Sequence, residues 1–364
     1  MKLRFSKEKF LDGLQQVQNI VSTRTTLPIL SNSLIRAAKE GVSLTSTDLD
    51  MTVRCPIDAE VLREGSTTLP ARKIFTIIRE LAHSEVDLEV DDKNVATIQS
   101  GGSLFRIVGI PEAEFPQAPK LTGAKSFSLE QKVLKDALKK TWYAMSTDET
   151  RFVLNGTLLS IKDDKLVIVA TDGRRLALVE QESDLPKGTV GELLVPSKAI
   201  NEALHLLKDK GSVTVNFTDK QVAFEMDGTR LISKLIEGVY PNYRQVIPRE
   251  TKERISLERE TFHQAVRRAS LLTSEKNHAV KLHFTKNNLA ISANSPDVGE
   301  SRESLAINYK GPEIAIGFNP EFLTAPLRNL DNDEIFFELT DELSPGVMKI
   351  KAPFLYVIMP LRVG

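Results

Sequence analysis

The chain has 364 residues, 41% hydrophobic and 27% charged, with a formal net charge of −1. That is the make-up of a folded globular protein, and it excludes a disordered or fibrous one. Near-neutrality gives no general attraction for polyanions, so any nucleic-acid contact would need basic groups placed locally. A single cysteine, Cys55, excludes an intramolecular disulfide and a multi-thiolate metal site. The opening Met1-Lys2-Leu3-Arg4-Phe5 lacks the apolar core of a signal peptide, and no apolar run approaches the roughly 18 residues of a membrane span. A cytoplasmic location is expected.

Phe5-Ser6-Lys7-Glu8 opens an amphipathic segment around Phe10, Leu11, Leu14 and Val17, which runs into Val21-Ser22-Thr23-Arg24. An alternating strand then ends in Thr47-Asp48-Leu49-Asp50, and a second helix is predicted over 70–81. The same series returns from Phe127-Ser128-Leu129-Glu130. Val133, Leu134, Ala137, Leu138, Trp142 and Met145 make its helical stripe, Ala170-Thr171-Asp172-Gly173 its turn, and 196–207 its second helix. It returns once more from Ile255-Ser256-Leu257-Glu258, with a stripe of Phe262, Ala265, Val266 and Ala269 and a second helix over 319–330. Pro70 and Pro196 fit the first turn of a helix, and Asp227-Gly228 marks a hairpin.

The landmarks move together: Phe5 to Phe127 is 122 residues, Val21 to Met145 124, Pro70 to Pro196 126, and Phe127 to Ile255 128. Solenoid units of roughly 20 to 50 residues must stack to bury a core, whereas a unit this long has its own. Three similar domains follow, at 1–120, 121–248 and 249–364. Within each, the order reads helix, several strands, helix, several strands. The class is therefore α+β, with antiparallel sheets that could pair edge to edge between neighbouring domains and two helices per domain on one side.

Catalytic patterns are scarce. No phosphate loop or dinucleotide fingerprint occurs, and His83, His205, His263, His278 and His283 show no ligand spacing, so no metal or cofactor is expected. Asp48 and Asp50 form a carboxylate pair, but turns favour aspartate for local hydrogen bonds. An enzyme acting on nucleic acid through those carboxylates is the alternative reading. Basic residues fall on the helices of all three copies: Arg72 and Lys73, then Lys132, Lys135, Lys139, Lys140 and Lys198, then Arg259, Arg267 and Arg268. A shared positive face would hold a phosphate backbone without reading bases.

Leu27-Pro28-Ile29-Leu30-Ser31-Asn32, Thr47-Asp48-Leu49-Asp50, Pro70-Ala71-Arg72-Lys73, Leu154-Asn155-Gly156, Thr171-Asp172-Gly173-Arg174-Arg175-Leu176, Pro241-Asn242-Tyr243-Arg244 and Met359-Pro360-Leu361-Arg362 together resemble the bacterial DNA polymerase III beta subunits, the replicative sliding clamps. The resemblance runs the length of the chain. It implies three clamp domains, with sheets outside and helices inside, and a head-to-tail homodimer closed into a ring around duplex DNA of any sequence. It implies no catalysis by this subunit of the polymerase and no cofactor. Arg24, Arg72, Lys73, Lys135, Lys139, Lys198 and Arg267 would face DNA, and Asp148, the counterpart of Arg24, breaks that polarity. Ile77, Phe105 and Ile107 of one chain would meet Leu271 and Leu272 of the other, with Arg72, Lys73, Glu300 and Glu303 as charge partners. A cleft of Leu154, Thr171, Gly173, Arg175, Leu176, Pro241, Val246, Val357, Met359, Pro360, Leu361 and Arg362 would take short linear motifs. Their sources would be the replicative polymerase subunit, the clamp loader, repair polymerases and mismatch-repair proteins. Gln245 and the ending Val363-Gly364 depart from the family pattern and bear on motif preference.

Overall fold

A computed structural model describes residues 1–21, 26–162, 164–182, 189–274, 278–296 and 299–362. Each copy begins with a strand, at Lys2–Ser6, Lys125–Glu130 and Glu253–Glu258, where the sequence reading begins a helix. The cause is a change of period. Leu3 and Phe5, or Ile255 and Leu257, are buried at alternate positions, and each strand pairs with a later one, such as Glu334–Leu339 for the third copy.

The three-and-four spacing takes hold only afterwards. It gives α1 (Lys7–Gln18), α3 (Gln131–Lys139) and α5 (Arg259–Ser270). The second helices are α2 (Ala71–Glu80), α4 (Ser197–Leu206) and α6 (Pro320–Asn329). Pro70 and Pro196 are the last residues of the strands before their helices, so of the three second helices it is α6 that carries a proline, Pro320, in its first turn. α3 stops short of Met145. The Thr141 hydroxyl turns back onto the Ala137 carbonyl at 3.0 Å, and Trp142–Ala144 tightens into a 3-10 turn.

The chain forms two compact units, residues 1–135 with 201–235 and residues 136–200 with 236–364. Unit 1 holds a five-stranded antiparallel sheet, ending at Ser103–Val108, and an eight-stranded one. The larger sheet crosses from the first copy to the second where Met51–Ile57 pairs with Thr229–Lys234, Val53 opposite Leu231. Unit 2 repeats the arrangement. Its eight-stranded sheet crosses from the second copy to the third where Arg175–Glu182 pairs with Phe354–Ile358, Ala177 opposite Tyr356. A four-stranded sheet there ends at Gly299–Ala306. The expected edge-to-edge pairing of neighbouring copies is thus present in both units.

In unit 1 α1 packs against α2, and in unit 2 α5 packs against α6. In unit 1, α1 buries Phe10, Gly13, Leu14 and Val17. A Cβ on Gly13 would stand 1.8 Å from Ile57 Cδ1, so a larger residue there would make the Ile57 side chain shift. In unit 2, α5 lays Phe262 against an aromatic core in which Phe318 and Phe337 meet edge to face at 5.8 Å. The hairpin at Asp227-Gly228 has φ +49 and +79, the pattern of a type I′ turn. Cys55 is fully buried, its thiol donates to the Gly13 carbonyl at 3.4 Å, and burial pushes it up to about 12.

Candidate functional site

In unit 2 the strands Lys165–Thr171 and Arg175–Glu182 are joined by Asp172-Gly173-Arg174. Asp172 Oδ1 accepts the backbone N–H groups of Arg174 at 2.9 Å and Arg175 at 3.0 Å, and Thr171 Oγ1 accepts that of Gly173 at 3.0 Å. Gly173 sits at φ +84, where glycine carries no steric penalty. The second carboxylate oxygen of Asp172 accepts from Arg175 Nε at 3.0 Å, and the guanidinium lies 4.4 Å over the Phe322 ring. Pro326, inside α6, has no N–H to give the Phe322 carbonyl; the Tyr356 hydroxyl donates to it instead at 2.9 Å. The platform under Arg175 is thereby fixed.

The segment after Gly238 and the C-terminal tail meet this turn. Tyr243 packs with Leu158, Val169, Leu176 and Val357, with Tyr240 and Ile247 at the margin. Burial pushes the phenols of Tyr143, Tyr240, Tyr243 and Tyr356 up, so all four are neutral at physiological pH. The Met359 N–H donates to the Arg174 carbonyl at 2.9 Å and the Leu361 N–H to the Gly317 carbonyl at 2.8 Å. Those bonds fix the tail while leaving the Met359 and Leu361 residues 42% and 39% exposed. Arg151 Nη1 reaches the Asp172 carbonyl at 3.3 Å, which ties in the 3-10 turn Glu149–Leu154.

The structure thus brings most of the expected cleft together. Leu154, Thr171, Leu176 and Val357 are buried beneath the surface, while Gly173, Pro241, Val246, Met359, Leu361 and Arg362 are open to solvent and Pro360 is half-buried. Sequence reasoning passed over Asp172, Tyr240, Tyr243 and Phe322 as site residues. The tyrosines bracket Pro241-Asn242 and Asp172 lies inside its motif, so these were within reach. Phe322 arrives from a distant helix and carries no local mark. Adaptable Met and Leu side chains beside neutral phenols and one oriented arginine suit the apolar side chains of an extended peptide.

Arg72 and Lys73 on α2, Lys198 on α4 and Arg267 on α5 are exposed. Lys135 is held by Asp209 at 2.8 Å and Lys139 by Asp331 at 3.2 Å. Both aspartates reach these helix faces from neighbouring loops. Arg24 lies outside the described residues.

One sheet edge and one helix end expose apolar side chains. On Ser103–Val108, Phe105 is 39% and Val108 73% exposed, with Ile107 half-buried; Ile77 on α2 is also half-buried. In unit 2, Leu271 is 73% exposed just past α5 and Leu272 half-buried. Leu271 therefore does not finish the buried stripe of its own helix. Glu303 is already bound by Arg268, at 2.6 and 3.0 Å.

The carboxylate-site alternative is overturned. Asp48 Oδ1 accepts the N–H groups of Asp50 and Met51, and Asp50 pairs with Lys234 at 2.9 Å. Among the described residues no group of three or more His, Cys, Asp or Glu is placed to hold a metal, and no helix is long and apolar enough to cross a membrane.

Comparison with known proteins gives a consistent result. Family profiles match the N-terminal domain of the DNA polymerase III beta subunit over residues 1–119, its central domain over 128–242 and its C-terminal domain over 244–362. The beta sliding clamp of Chlamydia muridarum is 33% identical over 362 residues, covering 100% of this chain and 99% of that one. A crystal structure of the sliding clamp from Bartonella birtlesii, bound to griselimycin, superposes with a TM-score of 0.93 at 34% identity. That of the Bacillus subtilis clamp gives 0.94 at 30%, and both cover 100% of each chain.

Proposed function

This chain belongs to the DNA polymerase III beta subunit family, the beta sliding clamps, and on that premise we propose that it is a non-catalytic processivity factor working in the cytoplasm. It encircles duplex DNA and tethers the replicative polymerase. The observation that carries this reading is the full-length match of all three domains to clamps. The domain limits are taken as 1–120, 121–248 and 249–364.

The ring is a head-to-tail homodimer, in which the edge Ser103–Val108 with Ile77 meets the edge Gly299–Ala306 with Leu271 and Leu272 of a second chain. Exposed apolar residues on a long sheet edge support this, because an uncovered edge of that kind invites pairing with another chain. Helix residues Arg72, Lys73, Lys198 and Arg267, joined by Lys135, Lys139 and Arg24, face the phosphates. Loose contacts suffice because retention is topological, and tight ones would slow sliding.

The unit 2 cleft takes short linear motifs of the Gln-Leu-x-Leu-Phe kind from the polymerase, the loader and repair proteins. What supports it is a surface of half-open Met359 and Leu361 over a floor of Leu176, Val357 and Tyr243. The test is retention: a dimer by gel filtration that loader and ATP place on nicked circular DNA, and that leaves when the circle is cut. A monomer, or retention unaffected by cutting, would refute the ring.

A further inference from the structure

The four-stranded sheet of unit 2 runs in the order Gly299–Ala306, Asn288–Ser295, Val280–Thr285 and Ile314–Phe318. One face belongs to the core. Val280, Leu282, Phe284, Leu289 and Ile291 are fully buried there, and Ser301 and Glu303 turn the same way to bond with Ala269 and Arg268 of α5. The opposite face carries Lys281, Ser292, Glu300 and Arg302 beside the small Ala279 and Ala290, around a trough of about 670 Å³. Register places Lys281 opposite Ser292 and Ser292 opposite Arg302, so two cations stand in one row on either side of a hydroxyl. With one strand between them, their Cα atoms are about 10 Å apart.

Both cationic residues are exposed, and among the described residues no ion pair holds either of them. The solvent face of the five-stranded sheet in unit 1 differs. There Lys2 and Arg4 are met from the neighbouring strand by Glu89 at 3.2 Å and Asp87 at 2.8 Å. We propose that the trough docks an acidic linear segment of a partner protein, an extended chain lying across the strands with two carboxylates three residues apart. Three residues of extended chain span about 10 Å, which matches the separation of Lys281 and Arg302. Ala279 and Ala290 leave room for its backbone, and the Ser292 hydroxyl can donate to one of its carbonyls. Carboxylates flank the row, Glu300 on one side and Glu313, bonded to His283 at 2.6 Å, on the other. Single charges placed over the two cations are therefore favoured over the evenly spread charge of a nucleic-acid strand. Exposed ion pairs are weak and screened by salt, so the docking is of low affinity and salt-sensitive.

The probe is a fluorescein-labelled Gly-Glu-Ala-Ala-Glu-Gly peptide, titrated into the full chain at low salt and read by anisotropy. It should bind, and the same peptide with Gln in place of Glu should bind roughly tenfold more weakly. K281A, on an inner strand, should cost about fivefold and K281A/R302A about tenfold or more, with melting and sedimentation unchanged. K2A/R4A should bind as the unaltered chain does. A Gln-Leu-x-Leu-Phe peptide should bind all of these chains alike, because the unit 2 cleft uses other residues. No binding at millimolar peptide, equal binding by K281A/R302A, or a loss of the same size in K2A/R4A would overturn the proposal. So would preferential capture of a labelled oligothymidylate, which would assign the row to nucleic acid.

Discussion

Replacing Met359 and Leu361 with alanine removes the two exposed apolar side chains of the tail and leaves its backbone anchored. Their main-chain bonds to Arg174 and Gly317 do not depend on side-chain identity. Complete burial of a Met or Leu side chain is worth about 1.5–3 kcal/mol. With 42% and 39% of these residues still open, a bound peptide would cover what remains. The pair then contributes about 1–2.5 kcal/mol, roughly 5- to 60-fold in Kd. The larger share of each side chain is already covered in the free chain, so by the same scale folding stability should fall by about 2–3.5 kcal/mol as well. Fluorescence anisotropy with a labelled Gln-Leu-x-Leu-Phe peptide reads the affinity, and a thermal melt controls for folding. Deleting 359–364 should abolish capture altogether while leaving the dimer intact. If the double-alanine chain binds within twofold of the original, the tail is only a seal on its own domain and the cleft has been misplaced.

Removing Arg72, Lys73 and Arg267 should lower the slope of log affinity against log salt by about 2 to 3. Alanine at Lys135 and Lys139, already neutralised by Asp209 and Asp331, should change it less; equal effects would contradict the division of the basic residues. Leu271→Asp with Leu272→Asp should give a folded monomer by sedimentation, and persistence of the dimer at low micromolar concentration would exclude that interface. Leu49→Asn should raise the melting temperature by relieving about 1 kcal/mol of left-handed backbone strain, and a lower value would show that leucine is favoured there. Burial holds the His263 imidazole below its usual range, Glu260 opposing the shift and Arg328, Arg259 and Arg267 adding to it. The unfolded chain therefore takes up a proton first, and stability present above about pH 6.5 declines as pH falls through that value. His263→Gln should flatten this part of the curve, and an unchanged acid limb would refute the assignment.

The threefold plan was legible because its markers are local: a helical stripe, a polar turn and a second stripe at one spacing. Pairing between neighbouring copies also followed, since antiparallel sheets need partners for their edges. The opening strands were missed because Lys2–Ser6 and Lys125–Glu130 are too short to show their alternation before the helical period overruns it. At the site, the turn and the tail could be read from their motifs, but the setting of Arg175 could not. It depends on Phe322 below it and on a Tyr356 hydroxyl satisfying the carbonyl that Pro326 leaves open. The neutralisation of Lys135 and Lys139 was hidden for the same reason, because Asp209 and Asp331 reach them only through tertiary folding.

Each eight-stranded sheet draws on two copies, so the cooperative blocks of the chain are out of step with its internal repetition. The middle copy is split, its Thr229–Lys234 edge committed to one block and its Arg175–Glu182 edge to the other. Excised at 121 and 248, it would carry two bare sheet edges and should self-associate where an independent bead would stay monomeric. Local melting should follow the blocks as well. An outer copy would open together with half of the middle one, and protection from amide exchange would change within α3 and α4, not at the linkers between copies. A substitution that loosens the first copy should therefore be felt at Ser212–Phe217 of the middle copy while leaving Gly156–Lys162, also of the middle copy, unmoved.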